Sequence, residues 1–139
     1  MFWVCADYNR STCDGLKEYA LGLGLREKKI NEDMFTTVMY APFNDDAYTG
    51  TTSLSGTVTP VALAYRGKAL VLIVKSDVLQ ARHRYFCSQG FQSKPYDPHI
   101  TLSYNSAQKD LAGLALPTFD LQLSSEIADE DEVEDTLTN

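Results

Sequence analysis

Tyr96-Asp97-Pro98-His99-Ile100-Thr101-Leu102-Ser103-Tyr104 combines β-branched and aromatic residues behind a proline, the make-up of a short strand. Strand side chains alternate between faces, so His99 and Thr101 share one face while Ile100 and Leu102 take the other. Pro98 suits the start of such a strand, since it donates no backbone N–H and fixes its own φ. An imidazole and a hydroxyl on one face can hold a phosphoryl oxygen between them.

The pattern occurs once before, at Phe35-Thr36-Thr37-Val38-Met39-Tyr40. A displacement of 64 positions lays Thr37 on Thr101, Val38 on Leu102 and Tyr40 on Tyr104, with Phe35 where the histidine would recur. The echo is longer than the strand. Phe2 to Tyr8 reads as a buried apolar strand, Ser11 as the cap of a helix carrying Leu16, Tyr19, Ala20 and Leu23, and Gly22 and Gly24 as its stop. Ala69 to Lys75, the helix capped by Ser76 and stopped by Gly90, and the His99 strand repeat this order. The repeat predicts an α+β fold of two pseudo-symmetric lobes, with central antiparallel sheets around a cleft and helices outside. The Phe35/Thr37 and His99/Thr101 strands would then be neighbours in one sheet. Tyr40 and Tyr104, three places beyond their threonines, are expected on the opposite face, packed inward.

Between the repeats, Glu27 to Ile30 reads as a short strand and Asn31-Glu32-Asp33 as a turn. Pro42 to Ser55 reads as a polar loop, and Gly56–Tyr65 with Lys68–Lys75 as a hairpin turning at Arg66-Gly67. Ser106 to Gly113 suggests a short helix and Phe119 to Ser125 a closing strand. Trp3 is expected in the core unless its strand face opens to the cleft.

Composition narrows the partners. Of 19 acidic residues, seven lie in the last fourteen positions, which leaves 12 against 12 Lys and Arg elsewhere. The net charge of −7 thus belongs to the end of the chain and disfavours long nucleic acid. Residues 1–125 are therefore read as one domain and 126–139 as an acidic, flexible tail. No apolar run approaches a membrane span and no basic, apolar leader opens the chain, so a cytoplasmic protein with no membrane partner is expected. Cys5, Cys13 and Cys87 form no CxxC pair, arguing against a disulfide framework or a zinc site. No metal or other cofactor is expected, and oligomeric state is left open. His83, Arg82, Arg84 and Lys94 read as surface residues on or near the second helix.

Pro98-His99-Ile100-Thr101-Leu102-Ser103-Tyr104 and its partner strand resemble the motifs of the 2H phosphoesterase superfamily, whose members carry two His-x-Thr/Ser motifs on central strands of a bilobal α+β fold. Among members, the small size and the Thr-Val-Met-Tyr strand look most like phage proteins of the anti-CBASS cyclic-oligonucleotide phosphodiesterase type. In that family one histidine deprotonates the attacking oxygen, the other protonates the leaving oxygen, and the hydroxyls hold the phosphoryl oxygens. The resemblance implies that Thr37, His99 and Thr101 contact phosphate. It also suggests a ligand contact for Tyr8, near a nucleotide-contacting tyrosine, with packing in the core or at the rim as the alternative; Glu126, just after the last strand, is a further candidate, as an acceptor from a base edge.

Phe35 breaks the pattern, because phenylalanine neither titrates nor hydrogen-bonds. The expected function is capture of a cyclic nucleotide or cyclic oligonucleotide in a degenerate cleft, with Phe35 stacking on a base, as phage counter-defence in the host cytoplasm. The alternatives are an active metal-independent phosphodiesterase, native or with an inactivating change at Phe35, and a protein-binding module on the same fold.

Overall fold

The computed structural model describes residues 2–41, 50–91 and 95–130. Seven strands form an antiparallel sheet accompanied by two helices: β1 (Phe2–Tyr8), α1 (Arg10–Gly22), β2 (Phe35–Ala41), β3 (Gly50–Ser53), β4 (Thr57–Arg66), β5 (Ala69–Lys75), α2 (Asp77–Ser88), β6 (His99–Ser103) and β7 (Leu121–Glu130). The order is β2-β1-β7-β4-β5-β6, with β3 also paired to β7. The two strand–helix–strand repeats therefore form the two ends of the sheet, and β7 and β4 join them in the middle. The expected α+β composition is present. β2 and β6 stand at opposite ends of the hydrogen-bonded order and yet contact one another. The sheet must therefore curl until its ends meet, so the two motif strands are neighbours in space without being ladder partners.

Local chemistry explains most elements. Asn9, not Ser11, caps α1: its side chain accepts from the Thr12 backbone N–H at 2.8 Å. Ser76 caps α2 as expected, accepting from Leu79 N–H at 3.2 Å. The β4–β5 hairpin turns at Gly67, whose φ of +60° favours glycine, and Arg66 pairs with Ala69 across it. Each helix reaches the far repeat, α1 contacting β6 and α2 contacting β2. The core joins Leu16 and Ala20 of α1, Leu79 and Phe86 of α2, and Val4, Val38, Leu70, Leu72, Ile100 and Leu102 from the strands.

Several expectations give way. Glu27–Lys29 is a 3-10 turn, not a strand; its three side chains are all exposed, so no face is buried to hold it extended. Within the expected loop at Pro42 to Ser55, Gly50–Ser53 is a strand on β7, while 42–49 lie outside the described residues. Ser106 to Gly113 forms no helix, because its polar groups bond outward: Ser106 N–H to Lys68 O, and Lys109 N–H to the Tyr65 hydroxyl. The closing strand runs to Glu130, so 126–130 belong to the sheet instead of a tail. Residues 131–139 are outside the described residues.

Candidate functional site

A cleft of about 330 Å³ is lined by Trp3, Phe35, Thr37, Tyr40, His99, Thr101 and Tyr104. The two motifs thus share one hollow, as the repeat predicts, with both threonines turned into it. The presence of Tyr40 and Tyr104 overturns the expectation that they pack inward: they are 38% and 59% exposed.

The reason is a pair of β-bulges. Along β1–β2 the register passes from Val4↔Met39 to Cys5↔Thr37, leaving Val38 unpaired. Along β5–β6 it passes from Leu70↔Ser103 to Val71↔Thr101, leaving Leu102 unpaired. An extra residue suspends the alternation for one step. Val38 and Met39 are consequently both buried, as are Leu102 and Ser103, and the next residue in each strand emerges on the threonine face. The bulges fall at equivalent points of the repeat.

Each bulge exposes two carbonyls, and each pair is caught from outside its own ladder. Tyr96 donates its hydroxyl to Thr37 O at 2.8 Å, and His83 Nδ1 donates to Val38 O at 2.8 Å. The rings of His83 and Tyr96 stack at 4.2 Å with an interplanar angle of 2°. On the other bulge, Asn31 donates its side-chain amide to Thr101 O and its backbone N–H to Leu102 O, both at 2.8 Å. His83 is thus not a surface histidine: it is 9% exposed and works behind the cleft. Tyr96→Phe would keep the stack and delete only the donor. Leaving a carbonyl short of its partner costs about 1–2 kcal/mol, so the urea midpoint should fall with an unchanged m value. An unchanged midpoint would mean that this bond does not hold the bulge.

His99 Nδ1 lies 2.9 Å from Asp97 O. A carbonyl only accepts, so Nδ1 is the donor of this bond. The Asp97 carboxylate pairs with Arg66 at the surface. Trp3 Nε1 donates to Thr37 Oγ1 at 3.3 Å, and the Trp3 and Phe35 rings meet edge to face at 5.3 Å. Although more than half of Tyr104 is exposed, partial desolvation of its phenol, and then the nearby Asp33 carboxylate, raise its pKa, so it stays a neutral hydrogen-bond donor. The arrangement offers hydroxyls and one imidazole to an anion, beside aromatic surface.

Two proposed contacts do not face this cleft. Tyr8 is 5% exposed, with its hydroxyl 2.7 Å from Thr36 Oγ1, and it lines an adjoining hollow instead of this cleft. Glu126, also 5% exposed, accepts from Arg82 Nε and from a second guanidinium nitrogen, each at 2.7 Å. Each of its oxygens thus holds one bond from the guanidinium. Sequence reading missed this pair because it treated Arg82 as solvated and Glu126 as tail. Lys94 lies outside the described residues.

Trp3 and Phe35 also border a second hollow, of about 430 Å³, containing Asp7, Glu32 and Asp33. Burial, and then the Asp33 carboxylate, hold the Asp7 carboxyl above its ordinary range. The folded protein therefore binds that proton more tightly than the unfolded chain. The associated stability is complete below the unfolded value and lost as pH rises through the folded one. Asp7→Asn should accordingly be more stable than the parent at pH 7, with the difference gone below about pH 3. Equal urea midpoints at pH 7 would refute this.

The comparisons with known proteins agree with one another. The family profile described as Acb1, anti-CBASS protein Acb1, matches residues 1–137. The chain is 26% identical over 148 residues to the anti-CBASS protein Acb1 of Escherichia phage RB16, covering 97% of this chain and 83% of the relative. It is 29% identical over 117 residues to the protein of that name in Enterobacteria phage T4, covering 80% and 76%. With that of Salmonella phage S16 it shares 30% over 118 residues, covering 81% and 77%.

Proposed function

The chain belongs to the anti-CBASS protein Acb1 family, and on that premise we propose that it counters a bacterial defence by capturing a small cyclic oligonucleotide in the cleft between β2 and β6. The two strand–helix–strand repeats are read as the lobes of a 2H phosphoesterase-like fold. Thr37, Thr101 and His99 take the phosphates, and Phe35 offers its ring to a base, with Trp3 behind it. Base–aromatic stacking of this kind is worth roughly 1–3 kcal/mol per base. The observation that carries the reading is the shared hollow, in which both threonines and both bulge tyrosines converge from repeats 64 positions apart.

Capture is preferred over cleavage because only one of two facing positions holds a proton-transfer group. Slow hydrolysis is the second reading, supported by the bond that fixes the Nδ1 proton of His99 and leaves Nε2 open to a substrate oxygen. The two separate in one experiment: the protein is incubated with cyclic di- and trinucleotides and the mixture is chromatographed before and after heat denaturation. Intact nucleotide released only on heating supports capture. Linear product supports cleavage, and no depletion counts against both.

A further inference from the structure

Away from the cleft, a hollow of about 690 Å³ is lined by ten residues that include Arg26, Lys29, Lys68 and Lys109 and no carboxylate. The four cations come from three separate segments: the stretch after α1, the β4–β5 turn and the loop after β6. A solvated charge run would put them on one element. Here the segments are bonded together: Ser106 N–H donates to Lys68 O at 2.9 Å, Gln108 Nε2 to Gly67 O at 3.1 Å, and the Tyr65 hydroxyl to Ala107 O at 3.2 Å. Lys109 Nζ donates to Leu23 O, which joins the loop to the end of α1. Arg26, Lys29 and Lys68 are exposed, and among the described residues none is paired with a carboxylate. The convergence of like charges is therefore set by the fold, and it presents a field that attracts an anion. The cleft, by contrast, is lined by no lysine or arginine.

We infer that this hollow is a second anion site, which takes the phosphate groups of a small phosphorylated ligand independently of the cleft. Asn105, Ser106 and Gln108 add side-chain polar groups beside the cations. Its volume admits more than one phosphate group.

The test is titration of the whole chain, followed by amide NMR at Gly24, Lys68, Asn105 and Ser106. One arm uses inorganic tripolyphosphate and the other a 5′-phosphorylated linear dinucleotide. Saturable shifts at these amides are expected, unaltered in Thr101→Val and weakened about tenfold or more in Arg26→Glu/Lys68→Glu. Lys29→Gln/Lys68→Gln, which only neutralises, gives the same comparison should the reversed pair not fold. Binding of both probes assigns the site to phosphate as such, and binding of the dinucleotide alone assigns it to nucleotides. Absence of saturable shifts with either probe, or affinities unmoved by the charge changes, would overturn the inference. Because Thr101→Val disables only the cleft, failure here and failure of the capture reading are separately visible.

Discussion

Phe35→His is expected to confer cleavage of the cyclic oligonucleotide that, on the proposed capture function, the parent protein would bind and leave intact. Phe35 lies on the same cleft face as Thr37, opposite the strand that bears His99 and Thr101. An imidazole is smaller than the phenyl ring, so the substitution needs no backbone movement and leaves the Trp3 edge in place. Two imidazoles would then flank the phosphodiester, one to take a proton from the attacking oxygen and the other to return one to the leaving oxygen. A positioned acid or base contributes about 10²–10⁴-fold, and linear product should increase by a factor in that range. Phe35→Ala is the control: it should gain no turnover and should bind more weakly, by the value of the lost stacking. A folded Phe35→His protein that binds and still releases its ligand intact would show that the cleft is not a disabled active site.

The second large effect lies behind the sheet. Arg82→Ala would strand the Glu126 carboxylate, which is 5% exposed and accepts both of its ion-pair hydrogen bonds from that guanidinium. Removing one member of a buried pair costs roughly 3–5 kcal/mol, against a total stability of about 5–15 kcal/mol. Arg82 is 34% exposed, so the lower end applies. The melting temperature should fall by roughly 10 °C. Arg82→Ala combined with Glu126→Leu should recover much of that loss, since no charge is then left inside. A melting temperature unchanged in Arg82→Ala would mark the pair as equivalent to a solvated one.

What could be read in advance has a common physical character. The His99-Ile100-Thr101-Leu102 strand, the Ser76 cap, the Gly67 turn and the 64-residue repeat are all expressed in spacing along the chain. The make-up of the cleft's two walls also followed, because alternation puts Phe35 with Thr37 and His99 with Thr101, while the curl of the sheet brings the walls together. Where alternation was pushed one step further it failed, at Tyr40 and Tyr104, since a bulge exists only in the register between two strands. The same holds for Gly50–Ser53, polar residues that become a strand because β7 supplies the ladder partner.

The amino-acid sequence by itself determined the two motif strands and the helices behind them, properties of neighbours a few residues apart, and the repeat along the chain marked Phe35 as the position that differs from His99. Only the tertiary structure decided which buried polar groups find partners: His83 on the Val38 carbonyl and Glu126 on Arg82, partners 45 and 44 positions apart. A polar side chain enters the interior only when its hydrogen bonds are met there, and local sequence contains no record of a distant partner.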